Sequence, residues 1–128
     1  MLIAGLVLAA LAAAFHVFIF VLESLRWTEP RTRAVFGVAT EADAQTTKQL
    51  AFNQGFYNLF LALTAFLGIL LTMLGHETVG ITLALAGTGM MLAAALVLIL
   101  SDGSKARAAI LQGTFPLLAV LALALSLI

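Results

Sequence analysis

Four stretches of this chain carry no Asp, Glu, Lys or Arg: residues 1–22, 49–76, 78–101 and 108–128. They are 22, 28, 24 and 21 residues long. A helix needs about 20 apolar residues to cross roughly 30 Å of hydrocarbon, so each stretch suffices for one crossing. In lipid every backbone N–H and C=O must be bonded within the protein, which leaves helices or closed barrels. These stretches are rich in Leu and Ala, do not alternate, and are about twice the length of a membrane β-strand. The expected fold is therefore all-α, an integral membrane four-helix bundle. One domain, residues 1–128, would hold spans at approximately 2–25, 50–74, 79–100 and 107–127. Composition agrees, with 63% hydrophobic and 9% charged residues against about 45–50% and 25% in soluble domains. Residues 1–22 lack a basic leader and a small-residue cleavage site before a polar chain, so they read as a span and not as a signal peptide.

The basic side chains set an expected orientation. Arg26, Arg31, Arg33 and Lys48 fall in the loop 26–49, and Lys105 and Arg107 in the loop after the third span. The turn His76–Thr78 and both termini have none. The positive-inside rule then makes loop 26–49 cytoplasmic and places both termini on the non-cytoplasmic side. A multi-pass protein of the bacterial inner (plasma) membrane is the expectation. Six basic and six acidic residues cancel, which gives no electrostatic case for nucleic acid. The lipid bilayer is the expected partner.

Other classes of chemistry drop out. There is no cysteine, hence no disulfide or thiolate site. No HExxH, glycine-rich phosphate loop or nucleophile elbow occurs. His16 and Glu23 are two helical turns apart, too far to share an ion, so no metal is expected. His16 and His76 fall at different depths, which argues against bis-histidine haem ligation. The residues call for no cofactor.

Loop 26–49 has features of its own. Pro30 forbids a helix continuous with the first span. Arg33–Gly37 mixes basic and apolar groups and suits the headgroup level. Thr40 before Glu41 and Asp43 predicts an N-cap with acidic first-turn residues, so the second helix is expected to begin near Thr40. Ser101–Ser104 (SDGS) is a turn signal.

Ionisable and amide residues inside spans are candidate functional groups by default. At helical spacing His16, Ile19, Phe20, Glu23 and Trp27 share one stripe of the first span. On the second, Asn53, Gln54, Tyr57 and Asn58 fall within an arc of about 140°. Gln112 lies in the same half of the fourth, four residues before Pro116. Exposing such groups to lipid would cost kilocalories each, so they are expected to turn towards one another. The candidate ligand-binding set is therefore His16, Glu23, Trp27, Asn53, Gln54, Tyr57, Asn58 and Gln112. Simpler roles stand beside it. The amides can be interhelical glue, Glu23 can pair Arg26 one turn on, and His16 can bond Asn58 or Tyr57. Pro116 can kink its helix and free the Gln112 carbonyl. On the third span Gly87, Gly89 and Ala93 would permit close approach.

The blocks HVFIFVLESLRW (16–27), PRTRAVFG (30–37) and NQGFYNLFLA (53–62) resemble the signature of the small four-span membrane proteins known as domain of unknown function 1304. The resemblance covers nearly the whole chain. It implies the four-helix fold and the importance of His16, Glu23, Trp27, Asn53, Gln54, Tyr57 and Asn58. It implies no activity. A weaker similarity is to the four-helix glutathione and eicosanoid enzymes of membranes, whose arginine-rich thiol site is absent here. Three functions stay open: binding or transport of a small amphipathic or lipophilic molecule, acid–base catalysis by His16 or Glu23 on a membrane-soluble substrate, and a structural or assembly subunit. A homo-oligomer is compatible with the small residues of the third span.

Overall fold

The computed structural model describes residues 1–128. Helix α1 runs Leu2–Phe20 and ends in a π-helical turn, Val21–Leu25. Short α2 is Pro30–Phe36, α3 is Glu41–Met73, and α4 is Glu77–Ser101. A 3-10 turn, Gly103–Lys105, leads into α5, Ala106–Leu125. There are no strands. Four of these helices are long and apolar enough to cross a membrane.

Local chemistry explains the helix ends. Pro30 stands at the first position of α2, where its missing N–H and fixed φ suit a helix start. It therefore begins a helix as well as separating that helix from α1. Gly37, at φ 69°, ends α2 in the left-handed region, where a side chain would be strained. Thr40 caps α3: its Oγ1 accepts from the Asp43 backbone N–H at 3.1 Å and donates to Asp43 Oδ2 at 2.7 Å. Thr40→Ala is expected to lower stability by about 1 kcal/mol, measured as the thermal melt of helical circular dichroism in detergent. Asp102 closes the next turn, accepting from Ser104 Oγ at 2.6 Å and Ser104 N–H at 3.0 Å. Those bonds, aided by the Lys105 charge, hold its carboxyl below the ordinary range.

The four long helices pack in the cyclic order α1, α3, α4, α5, with α1 and α4 across the diagonal. Neighbours are antiparallel. Gly5 near the start of α1 abuts Leu123 near the end of α5, while Ser24 near the end of α1 abuts Gly55. Both termini therefore lie at one end of the molecule, and the six Lys and Arg side chains lie at the other.

Small residues make the interfaces. In α1 the residues Gly5, Ala9, Ala12, His16, Ile19 and Glu23 are buried, at spacings that alternate between four and three. In α3 the same rhythm runs through Ala44, Ala51, Gly55, Ala62 and Ala65, with half-buried Asn58 between. Gly80, Ala84, Gly87 and Met91 repeat it in α4, and Ala109, Gly113 and Pro116 in α5. A seven-residue repeat of this kind keeps one narrow seam facing a neighbouring helix. Large side chains point outward: Leu100 is 84% exposed and Ile3 79%. So broad an apolar exterior does not suit water. With no hydrophobic drive between helices in lipid, close packing of small residues holds them together. On α4, Gly87 makes close approach to Ala65, whereas Gly89 faces open space and Ala93 is exposed. Only the first of the three small residues expected there therefore serves the interface.

Candidate functional site

Glu23 is the only buried acid. It sits in the π-helical turn that ends α1, a local irregularity often found at functional positions. Its Oε2 accepts from Asn58 Nδ2 at 2.9 Å. The same amide nitrogen lies 3.2 Å from the Gln54 carbonyl one turn back. The α1–α3 seam is close enough for this because Gly55 lies beneath it. A Cβ on Gly55 would collide with Ser24 Oγ and stand 3.0 Å from Ser24 N. Ser24 Oγ in turn donates to the Phe52 carbonyl at 2.8 Å, fixing the register of the two helices.

His16 lies two turns deeper on the same stripe and is 1% exposed. Its Nδ1 donates to the Ala12 carbonyl at 2.9 Å in its own helix. In a neutral ring that bond leaves Nε2 as the acceptor. Among buried side-chain nitrogens and oxygens, Arg33 Nε alone is sealed from solvent without a hydrogen-bond partner. His16 Nε2 and Glu23 Oε1 also take no hydrogen bond from the chain, and so each keeps some accessible surface.

Trp27 and the loop close this end of the molecule. Trp27 Nε1 donates to Thr47 Oγ1 at 3.1 Å, and its ring lies 5.1 Å from that of Phe36. Lys105 Nζ donates to the Phe36 carbonyl at 3.0 Å, tying α2 to the start of α5.

The expected convergence of all eight residues is not what the structure contains. Glu23 and Asn58 meet, with His16 on the same buried stripe, whereas Trp27 turns to Thr47 and Phe36. Asn53, Gln54 and Tyr57 face outward, Tyr57 at 67% exposure. Gln112 is half-buried on α5. The pairings expected for single residues change too. Glu23 bonds Asn58 while Arg26 faces Glu29 at 3.9 Å, both of them exposed. His16 bonds its own helix. Pro116 is buried inside α5 without ending it.

The physical reason lies in α3. Its interface follows the small residues, and the polar arc straddles the edge of that interface. Only Asn58 falls on the seven-residue rhythm of Ala51, Gly55, Ala62 and Ala65. Outward Asn53 continues an exposed strip with Gln45, Gln49 and Tyr57 at four-residue spacing. The Ser24–Phe52 bond puts this strip near the level where α1 ends and the charged loop begins, a depth that suits amides and a tyrosine. Ser24, Gly55 and Thr47 were not among the sequence candidates. The spacing of small residues in α3 could have found Gly55, whereas nothing in the sequence singles out Ser24 or Thr47.

The profile of a family described as a protein of unknown function (DUF1304) matches residues 10–124. The chain belongs to the DUF1304 family. That match spans α1 from its third turn to the last turn of α5, so it contains every residue of the Glu23–Asn58 seam. No curated protein and no solved structure matches the chain.

Proposed function

We propose that this DUF1304 protein is a multi-pass protein of the bacterial inner membrane that binds, or carries across, a small amphipathic or lipophilic molecule at the α1–α3 seam. The end bearing the six basic side chains would face the cytoplasm. Glu23 and Asn58 anchor the polar part of the molecule, and His16 supplies an acceptor further in. The observation that carries this reading is the state of Glu23. It is a buried carboxyl partnered by an amide and not by a cation, and its Oε1 takes no hydrogen bond from the chain. A carboxyl held this way can accept from, or when protonated donate to, a hydroxyl, amine or carbonyl of a bound molecule.

A second reading has its own support. Asn58 is already engaged by Glu23 and by the Gln54 carbonyl, which is what an interhelical lock requires. Native mass spectrometry of protein purified in mild detergent separates the two. Binding predicts a co-purifying small molecule that is lost in Glu23→Gln and His16→Ala while the thermal melt stays near that of the wild type. A bare protein whose variants change only the melting temperature would mean that the seam is a lock.

A further inference from the structure

Arg33 is a cation without an acceptor. Its Nε is buried and unpartnered, and its guanidinium takes part in neither the one ion pair of the chain nor any of its side-chain hydrogen bonds. A guanidinium carries five donors. Only Nε is sealed from solvent; the two terminal nitrogens take no hydrogen bond from the chain and keep accessible surface, so they are the donors an outside acceptor can reach. The fold seats a second cation beside the same turn. Arg33 precedes Phe36 and Gly37 by three and four residues, so all three share a face of α2. Lys105 Nζ reaches the Phe36 carbonyl at 3.0 Å and would lie 3.2 Å from a Cβ on Gly37. One donor of that ammonium is used there, and two are left. Three nearby carboxylates are engaged elsewhere: Glu29 faces Arg26, Asp43 is held by Thr40 and Asp102 by Ser104. Glu41 is exposed and forms no ion pair.

We propose that the C-terminal turn of α2 is a binding site for a phosphate group, with Arg33 as the forked donor and Lys105 as the neighbouring point charge. Guanidinium matches phosphate oxygens with paired hydrogen bonds, whereas ammonium contributes charge. The depth suits the phosphate layer of a bilayer. Trp27, an interfacial residue type, packs against Phe36 with the two rings tilted by 52°, so this turn lies level with the end of α1. The same chemistry would hold a soluble phosphate, and the site is separate from the Glu23–Asn58 seam.

The test uses full-length protein, delipidated in an uncharged detergent and titrated with phosphatidylglycerol, with bound lipid read by native mass spectrometry. Arg33→Gln is expected to weaken binding roughly tenfold or more, the scale of losing a hydrogen bond to a charged group. Arg31→Gln, on the exposed side of α2, is expected to stay within about twofold, as a screened surface charge should. Should Arg33→Gln not fold, Arg33→Lys replaces it. This variant keeps the charge but loses the fork, so binding several-fold weaker than wild type is again expected. A second titration adds inorganic phosphate as competitor. Displacement that depends on Arg33 identifies a soluble phosphate as the ligand, and failure to displace identifies the lipid phosphodiester. Unchanged affinity on substituting Arg33, or an equal loss on substituting Arg31, overturns the proposal.

Discussion

Gly68→Ala is expected to separate α3 from α4 and to be among the most destabilising single substitutions in the chain. A Cβ at Gly68 would run into Ala84 N and stand 2.6 Å from the Gly80 carbonyl oxygen. These are backbone atoms, so no side-chain rotation relieves the contact. Gly80 faces the reciprocal problem. Its Cβ would strike Thr72 and stand 2.7 Å from the Gly68 carbonyl oxygen. The two helices must then move apart along a seam that includes Ala65 and Gly87. Overpacking of this kind costs about 1–3 kcal/mol, and more where backbone must shift. In lipid no hydrophobic gain offsets the loss of close packing. Gly89→Ala provides the comparison, since nothing lies within 4 Å of that position. It should be neutral or slightly stabilising, because alanine is the better helix former. Reversible unfolding in detergent with increasing SDS measures both. Equal stability of Gly68→Ala and Gly89→Ala would contradict this packing.

Asn58→Leu is expected to cost about 1–3 kcal/mol, because it leaves the buried Glu23 carboxyl without its donor. Glu23→Leu should cost less than that, since Asn58 still has the Gln54 carbonyl at 3.2 Å. Glu23→Gln should cost least, since the amide oxygen can accept from Asn58 in the same geometry. In the double variant Glu23→Leu, Asn58→Leu the two losses should overlap, with a coupling of about 0.6–2 kcal/mol. The same unfolding assay reads all four proteins. Strict additivity would show that the 2.9 Å contact contributes nothing to folding. A large coupling would establish the pair as a structural element whatever else it binds.

Most of the helix plan is legible in the amino-acid sequence. Each charge-free stretch falls on one of the four long helices, although α3 starts eight residues before its stretch, and Thr40 stands at the N-cap of α3 as its side chain and the acids after it suggest. The legible part ends in the loop and at the seam. Pro30 reads as a barrier, yet it also opens the seven-residue α2, whose stop depends on Gly37. Asn53, Gln54, Tyr57 and Asn58 read as one polar patch, because a helical wheel groups residues by angle alone. It gives no neighbour for each angle, and here the boundary of the interface cuts through the patch. His16 and Glu23 are expected to face another helix, and both are buried on one stripe of α1. Their partners differ from those expected. His16 can satisfy Nδ1 on its own helix, and the π-helical turn that carries Glu23 has no proline or glycine to announce it.

The number of long helices, their approximate ends and the end of the molecule that carries the basic side chains are all set by the sequence alone. These follow from solvation and local backbone chemistry. A charge or a proline acts at its own position and needs no partner to be interpreted. Which polar groups meet depends instead on how the helices pack. Helices in an apolar solvent settle where their backbones approach most closely. The small residues of α1 and α3 therefore chose the seam, and of the amides on α3 only Asn58 lay within reach of Glu23.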